Sequence, residues 1–405
     1  MNKHKPSLLM LFSVVFMDMI GFGFIIPLIP DYITRFGGAP ALAGVLMAVY
    51  AIGQFFAAPI VGRLSDKYGR KPLLLFSIGG TFLSLLLLGF AGSLSLVFAA
   101  RLLDGLTGGN ITVAQSYIVD ITDGKNRAKG LGIIGMAFGL GFILGPLFGG
   151  LLSTFGLSVP AFAAAGVAGL NLLLITFILP ESLTQERKDM AKTNPRRAFS
   201  PRLLLSTLKR PGTGTVLNLT LVYSFAFILF ESMFALFAAE ALGVDSRQRG
   251  WLLAYVGILV ALVQGGGVAF LAKRFDERRL TATALVVAAV SFVGFAFAPS
   301  VPLLMIVLVP LSLSSGVTST LLRSLLSKSV PPESSGGTMG LAASAESLNR
   351  VLAPLAGGAL FAALGPWAPG LLAALLAAWS AVFAWKKLIR EDCLVEGKPA
   401  CEDAA

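Results

Sequence analysis

The chain has 405 residues, of which 56% are hydrophobic and only 13% are charged, and its formal net charge is +11. A soluble domain carries roughly 25% charged residues, so this composition, with a mean hydropathy of +0.82, excludes an ordinary water-soluble globule. It indicates a polytopic membrane protein that sits in a lipid bilayer.

The sequence also argues against several other classes of protein. Its basic residues fall in short loops rather than in one patch, so we expect no nucleic-acid partner. The two cysteines, Cys393 and Cys401, lie in the polar C-terminal tail, and His4 is the single histidine, so we expect no disulfide framework and no metal site. The sequence has no catalytic constellation, so we expect no enzyme activity and no cofactor. It also has no Gly-x-x-x-x-Gly-Lys-Ser/Thr phosphate loop, so we expect an ion gradient or passive facilitation, and not ATP, to drive its function.

A helix needs about 20 apolar residues to cross the hydrocarbon core. The sequence therefore predicts an all-α membrane protein whose twelve spans lie near 7–29, 41–62, 72–92, 95–118, 128–153, 159–180, 213–240, 250–272, 280–299, 302–326, 335–363 and 367–387. Lys3 and Lys5 precede the first run without a small-residue cleavage site, so we expect that run to be retained as span 1.

Four regions follow from the spacing of these runs. We predict an N-terminal six-helix bundle (1–180), a cytoplasmic linker (181–210), a C-terminal six-helix bundle (211–390) and a cytoplasmic tail (391–405). With a cytoplasmic N-terminus, 26 of the 32 lysine and arginine residues fall in cytoplasmic segments and three in outer loops. This asymmetry is a strong positive-inside signal and predicts that both termini are cytoplasmic.

The two halves of the chain resemble each other. A shift of 208 residues aligns Pro146 with Pro354, and it aligns Gly149 and Gly150 with a second pair of glycines. A duplicated six-helix unit explains this match and predicts two pseudo-symmetric bundles. Chance similarity between helices rich in glycine and alanine is the alternative.

Ionisable residues inside the spans need a partner or a function, because they are costly to insert. Asp18 lies about halfway along span 1 among apolar neighbours and is a candidate for binding and releasing a proton, or a structural partner of a buried donor such as Arg101. Arg101 and Asp104 share one face of span 4. They form either part of the proton coupling or a permanent ion pair.

The second half has three candidates of the same kind. Glu231 lies in span 7, where it is a possible second proton or cation site. Glu346 and Arg350 are one helical turn apart on span 11, a spacing that suits either a stabilising bridge or a substrate and proton site.

Uncharged side chains predict the character of a central cavity. The candidates for contacting substrate are a few polar residues and several aromatic ones, namely Tyr50, Gln54, Asn110, Gln115, Phe227 and Phe234. A largely apolar pocket with few hydrogen-bonding groups suits amphiphilic compounds better than sugars. Packing or lipid contact is the alternative for each of the aromatic residues.

Several motifs together resemble a known family. The charged turn from Gly62 to Pro72 matches a loop signature between spans 2 and 3, and Gly141 to Gly150 matches the span-5 pattern Gly-x-x-x-Gly-Pro-x-x-Gly-Gly. The stretches from Arg101 to Gly108, from Asp18 to Pro30 and from Tyr50 to Gln54 resemble motifs of spans 4, 1 and 2. In this order they resemble the major facilitator superfamily, in its twelve-helix drug:proton antiporter branch, and the N-terminal half is most similar to tetracycline/proton antiporters.

The resemblance implies a role for the turn between spans 2 and 3. It implies that Gly62, Asp66, Gly69 and Arg70 form a cytoplasmic gate, which Asp120 joins through Arg70. In the family the aspartate contacts the end of span 11, here near 334–337. A helix N-terminus there would favour a negative charge.

The span-5 pattern has a backbone role. Gly141, Gly145 and Gly149 recur every four residues and form a smooth face for a neighbouring helix, while Pro146 removes one backbone donor. The resemblance implies that this segment shapes the contact between the halves.

We therefore expect a monomeric secondary transporter in a bacterial cell membrane that exchanges protons for small amphiphilic compounds by alternating access. Transport of a metabolite, sugar or organic anion, with Arg101 or Arg350 binding a carboxylate, is the first alternative. A transport-inactive scaffold or sensor is the second.

Overall fold

The computed structural model describes residues 8–122, 127–185, 206–210, 212–330 and 332–390, and for 127–131, 332–337 and 390 it describes the backbone alone. Most of the predicted linker and the whole predicted tail lie outside these ranges. Within them the regular elements are helices.

The helices alternate with short connections along the whole described chain. Those of the first half are α1 (Leu8–Ile25), α2 (Ile29–Arg35), α3 (Leu42–Tyr68), α4 (Arg70–Gly89), α5 (Leu94–Thr107), α6 (Asn110–Ile121), α7 (Arg127–Leu152) and α8 (Ser158–Phe177). Those of the second half are α9 (Thr213–Leu242), α10 (Ser246–Leu262), α11 (Val268–Ala272), α12 (Glu277–Ala296), α13 (Val301–Lys328), α14 (Pro332–Leu364) and α15 (Ala368–Ala384). Short 3₁₀ turns occupy Ile26–Leu28 and Ser153–Phe155, and π-helical turns occupy Val263–Gly267 and Trp385–Arg390.

Eleven helical segments of the described chain are long and apolar enough to cross a membrane. The predicted fourth span differs from the continuous helix expected over 95–118, because it is divided into α5 and α6 by Gly108 and Gly109. Two consecutive glycines have the poorest helix propensity after proline. Their N–H groups bond to the carbonyls of Gly105 and Thr107 at 2.9 Å instead of continuing the helical pattern.

The connection between α3 and α4 is a single residue. Gly69 has a φ of 114°, a conformation that side chains other than hydrogen rarely allow, and its N–H donates to the Ser65 carbonyl at 3.1 Å. This turn reverses the chain directly and brings the charged residues on both sides of it together.

The chain packs as two compact units. The first contains the described residues within 1–198 together with 243–257, and the second contains those within 199–242 together with 258–405. The helix α10 therefore begins in the first unit and ends in the second. The bundle boundaries predicted from the sequence stay a prediction.

Each unit has its own apolar interior. In the first, α1 packs on α7 and α8, and α4 packs on α5 and α8, around buried residues such as Leu11, Leu74 and Tyr117. In the second, α9 packs on α14 and α15, and α12 packs on α13 and α15. Phe292 and Phe295 are fully buried there.

Candidate functional site

A small cavity in the first unit contains most of the predicted proton-coupling residues of that half. Its walls come from α1, α3, α4, α5 and α6, and they include Asp18, Phe22, Tyr50, Thr81, Arg101, Asp104 and Asn110. The cavity has a volume of about 20 Å³, which holds about one water molecule. This space suits a proton or a water molecule, and it is too small for a drug-sized compound.

The break in the fourth span places Asn110 against Asp18. Asn110 is the first residue of α6, and its amide Nδ2 donates to the Asp18 carboxylate at 2.5 Å. Gly109 lies so close to α3 that an added Cβ would overlap the Val61 side chain. The glycine pair thus lets α6 approach α3 and begin at the depth of Asp18. The prediction of Asn110 as a substrate contact remains untested, and its observed partner is Asp18.

Arg101 and Asp104 form a buried pair on the same cavity. Their side chains are 6% and 8% exposed, and Arg101 Nη1 lies 3.2 Å from Asp104 Oδ2. The Thr81 hydroxyl donates to the other oxygen of Asp104 at 2.9 Å. The predicted contact on one face of span 4 is therefore present, and no contact between Arg101 and Asp18 is among those seen.

The Arg101 guanidinium also lies over aromatic rings. Its Cζ is 4.5 Å from the ring centre of Tyr50 and 5.8 Å from that of Phe22, distances at which a cation and a ring attract each other. Its Nε is buried and has no hydrogen-bond partner among the described residues. Arg101 therefore retains a donor that a water molecule or an anionic group in the cavity could satisfy.

The remaining substrate candidates of the first half lie at different positions. Gln54 Nε2 donates to the Tyr50 hydroxyl at 3.1 Å, so the two residues form one polar pair on α3. Gln115 lies on α6 with its side chain exposed. The structure thus brings Tyr50 and Gln54 together near the cavity and does not bring Gln115 to it.

The charged turn between α3 and α4 encloses Arg70. The Arg70 side chain is 3% exposed and forms ion pairs with Asp66 at 2.7 Å and Asp120 at 2.9 Å. Its Nη1 also donates to Ser65 Oγ at 2.6 Å. Asp120 on α6 therefore joins Asp66 and Arg70 in one cluster, while the side chains near 334–337 lie outside the described residues.

Glu181 completes this cluster and was not singled out by the sequence. Its Oε1 accepts the backbone N–H of Arg70 at 2.9 Å, and its Oε2 accepts that of Lys71 at 3.3 Å. A carboxylate suits the free N–H groups at the start of α4. The sequence signal that could have identified Glu181 is its position directly after Pro180, at the end of a predicted span. The neighbouring Ser182 joins the same cluster, because its hydroxyl donates to Asp120 at 3.2 Å.

The glycines of span 5 pack against span 1. An added Cβ on Gly145 would lie 2.7 Å from the Gly23 Cα, and Cβ atoms on Gly141 and Gly149 would overlap Met19 and Phe24 respectively. The expected smooth face is therefore present on α7, and its partner is α1. Pro146 lies inside α7, which continues to Leu152, and Gly62 packs in a similar way against Thr112 of α6, 3.2 Å from where a Cβ would lie.

In the second unit, the spacing of Glu346 and Arg350 suggested that these two residues pair with each other, and the structure gives Glu346 a different partner. Glu346 lies 3.9 Å from Arg323, whose side chain is 66% exposed, whereas Arg350 is exposed and interacts electrostatically with Glu231. The observed partner of Glu346 is thus Arg323 on α13, and a pair between Glu346 and Arg350 is not among the contacts of the described residues. A spacing of one helical turn therefore did not identify the partner of Glu346, which lies on another helix.

Phe227 and Phe234 lie on α9 in different surroundings. Phe234 is 1% exposed and its ring lies 5.7 Å from Phe230 and 6.1 Å from Phe295. Phe227 is half-buried and lies at the edge of the same group, 6.1 Å from Phe230. A substrate could contact Phe234 only after this aromatic group rearranges, so its observed surroundings are those of a packing residue.

Arg249 was not a candidate from the sequence, yet it is the largest of the fully buried side chains in the described residues. Counted with the outer loops in the charge analysis, it is 2% exposed and forms an ion pair with Asp31. Its guanidinium also donates to the carbonyls of Pro27 at 2.8 Å and Val244 at 2.7 Å. The sequence alone gives little indication that Arg249 is buried, because Arg247 lies in the same charged segment and is exposed.

Comparison with known proteins gives one consistent result. The family model described as Major Facilitator Superfamily matches residues 11–354 and 216–399. The chain is 32% identical over 368 residues to the tetracycline resistance protein, class C, of Escherichia coli, covering 89% of this chain and 91% of that protein.

One further relative and one solved structure also match the chain. The chain is 28% identical over 293 residues to multidrug resistance protein 2 of Bacillus subtilis, covering 71% of this chain and 72% of that protein. A solved human organic anion transporter has the same fold, with a TM-score of 0.70 at 22% identity, covering 95% of this chain and all of that one.

Proposed function

Because the chain belongs to the major facilitator superfamily of membrane transporters, we propose that it exchanges protons for small amphiphilic compounds, tetracycline-like or multidrug, by alternating access. It would export them across the cell membrane of a bacterium, with both termini in the cytoplasm. The names of its tetracycline and multidrug resistance relatives support this substrate class.

The observation that carries the proposal is the placement of Asp18. Its carboxylate lies about halfway along the first predicted span, on a water-sized cavity where Asn110 donates to one oxygen. An ionisable group at this depth is costly, and such groups in membrane spans commonly serve ion or substrate pathways. Asp104 has Arg101 as its charge partner, whereas Asp18 has an uncharged one. Asp18 is thus the carboxylate that can gain or lose a proton without breaking an ion pair.

Proton binding at Asp18 would act on neighbouring helices. Asn110 can donate to Asp18 in either protonation state, but the charged form makes the stronger bond. Protonation of Asp18 therefore weakens the hydrogen bond that joins α1 to α6. The Asn110 amide can then donate to another acceptor. Asp18 and the span-5 glycines lie on the same helix pair, since Gly141 packs against Met19. A change at Asp18 therefore reaches the α1–α7 contact directly.

A pH gradient would supply the driving force. Each proton that moves down a gradient of one pH unit releases about 1.4 kcal/mol, which supports about tenfold accumulation of one substrate molecule. Proteoliposomes with an imposed gradient test this directly. We expect gradient-driven tetracycline accumulation by the wild type and its loss in Asp18→Asn, while substrate exchange without a gradient is kept.

The matched control is Glu240→Gln, which removes an exposed carboxylate at the end of α9 and should transport as the wild type does. Accumulation that persists unchanged in Asp18→Asn would remove this residue from proton coupling.

Transport of an organic anion is the second candidate, and the unpaired Nε of Arg101 favours it. In the same assay, accumulation of an aromatic carboxylate without tetracycline or a lipophilic cation would support this alternative. We would then expect Arg101→Lys to raise the concentration for half-maximal uptake of the carboxylate, since lysine cannot reproduce the geometry of a guanidinium.

A further inference from the structure

The turn that precedes α12 is the counterpart of the charged turn that precedes α4. A shift of 207 residues aligns the apolar positions of the two turns, namely Leu64, Tyr68 and Leu73 with Leu271, Phe275 and Leu280. The same shift aligns Arg70, the first residue of α4, with Glu277, the first residue of α12. The two turns can therefore be compared position by position.

The central ion pair of the turn has opposite polarity in the two units. In the first unit, Arg70 of the turn pairs with Asp120 at 2.9 Å. In the second unit, Glu277 of the turn pairs with Lys328, whose Nζ lies 2.8 Å from Glu277 Oε2. Lys328 follows Asp120 by 208 residues, the shift that also aligns the two copies of the span-5 pattern. The same contact is thus present twice with its charges exchanged.

The other acidic residues of the first cluster also have basic counterparts. Asp66 of the first turn aligns with Lys273 of the second. Glu181 follows α8, whereas the π-helical turn that follows α15 and packs against α12 carries Lys386 and Lys387, both exposed. The first cluster therefore places one arginine among carboxylates, and the second places one glutamate among basic side chains.

The two carboxylates of the second turn already have partners. Asp276 Oδ1 accepts the backbone N–H groups of Arg278 and Arg279 at 3.0 Å each, and both oxygens of Glu277 accept from Lys328 at 2.8–2.9 Å. Residues 273–279 contain four basic and two acidic side chains. Positive charge is therefore in excess on this turn.

The second turn is also much more exposed than the first. The Arg70 side chain is 3% exposed, whereas that of Lys328 is 61% exposed. Lys273, Arg274 and Arg279 are exposed as well. The excess positive charge thus faces the surroundings of the protein and not its interior.

Exposed aromatic rings adjoin these basic residues. The Arg274 Cζ lies 4.2 Å from the ring centre of Phe270, and Phe270 and Phe275 are 55% and 57% exposed. Trp385, in the π-helical turn beside α12, is exposed too. Aromatic rings next to lysine and arginine are typical of the headgroup level of a membrane. The surface therefore offers cations to a phosphate and rings to the neighbouring acyl chains.

We propose that the basic surface of residues 273–279, with Lys386 and Lys387, binds the headgroup of an anionic phospholipid. Lysine and arginine form charge-assisted hydrogen bonds with phosphate oxygens. Clusters of roughly four to eight such residues beside a membrane helix attract anionic headgroups. The lipid belongs to the leaflet on the side that the charge distribution assigns to the cytoplasm. This inference goes beyond the proposed function, because it depends on neither the substrate nor proton coupling.

Native mass spectrometry of the full chain, released from detergent, measures lipid binding without transport. Phosphatidylglycerol is the anionic probe, and phosphatidylcholine, which has no net charge, is the comparison. The ratio of lipid-bound to lipid-free protein at each lipid concentration gives Kd. We expect the wild type to bind phosphatidylglycerol more tightly than phosphatidylcholine.

Removing two charges from the second turn should weaken this binding. For Lys273→Gln with Arg274→Gln we expect the Kd for phosphatidylglycerol to rise about thirtyfold, equivalent to about 2 kcal/mol, because each basic residue near anionic lipid contributes about 1 kcal/mol. The matched control, Arg63→Gln with Lys67→Gln, removes two exposed positive charges beside the first turn and should keep the Kd within twofold. Lys273→Arg with Arg274→Lys conserves the charge and should bind as the wild type does.

Four results would overturn the proposal. The first is an unchanged Kd in the variant with both glutamines in the second turn. An equal loss in the first-turn control would show a response to net charge alone. A loss in the charge-conserving variant would make the shape of the turn responsible instead of its charge. Equal binding of phosphatidylcholine by the wild type would remove the requirement for an anionic headgroup.

Discussion

Substituting alanine for Gly145 tests the contact between α7 and α1. The added Cβ would lie 2.7 Å from the Gly23 Cα and 3.0 Å from the Ile20 carbonyl oxygen. Both atoms belong to backbone, which cannot rotate away as a side chain can, so the two helices must separate by several tenths of an ångström. Overpacking of this kind costs about 1–3 kcal/mol.

The control for this experiment lies on the same helix. A Cβ on Gly139 would meet nothing within 4 Å, so Gly139→Ala should only gain the roughly 0.8–1.0 kcal/mol of helix propensity that separates alanine from glycine. Both variants receive this gain, and their difference isolates the packing cost. We expect Gly145→Ala to be about 1–3 kcal/mol less stable than Gly139→Ala.

Thermal unfolding in detergent measures that difference. For a unit of about 200 residues, each kcal/mol shifts the midpoint by roughly 2–4 °C, so a separation of several degrees between the two variants is expected. Transport by reconstituted protein should fall in Gly145→Ala and remain in Gly139→Ala. Equal midpoints for the two variants would refute the argument that α7 and α1 meet through their backbones.

Two further predictions concern the charged turn and the aromatic group. Asp66→Asn should lower the turnover rate more than the apparent substrate affinity, because Asp66 pairs with Arg70 outside the cavity. The control Lys67→Gln removes an exposed charge from the same turn and should change neither quantity. A loss of affinity alone in Asp66→Asn would contradict a gating role. Phe234→Ala should lower stability by about 3–5 kcal/mol because this ring is 1% exposed, while flux per folded molecule keeps its preference among tetracycline, a lipophilic cation and a carboxylate. A changed preference would instead return Phe234 to the substrate contacts.

The sequence predicted the fold because membrane insertion depends on local composition. Apolar runs of about 20 residues specify helices almost independently of their surroundings, and the family match of residues 11–354 and 216–399 confirms the family inferred from the motifs. Short-range pairs were also accessible, as with Arg101 and Asp104, whose spacing of three residues places them on one helix face.

The break at Gly108 and Gly109 marks a limit of that reasoning. The run 95–118 is apolar enough to predict one helix, yet the structure divides it into α5 and α6. Two neighbouring glycines are compatible with a helix in a close-packed bundle as well as with a break. The approach of α6 to Val61 and Asp18 decides between these possibilities, and it depends on residues some 50 and 90 positions away.

The sequence by itself predicted an all-helical membrane fold, the family and the asymmetry of basic residues between loops, because each depends on residues near one another in the chain. Only the tertiary structure decided which charges meet. It placed Asn110 on Asp18, Asp120 and Glu181 around Arg70, and Arg249 on Asp31. Such pairs are selected by the cost of leaving a charge unpaired away from water, and that cost can be assessed only once the packing of distant helices is known.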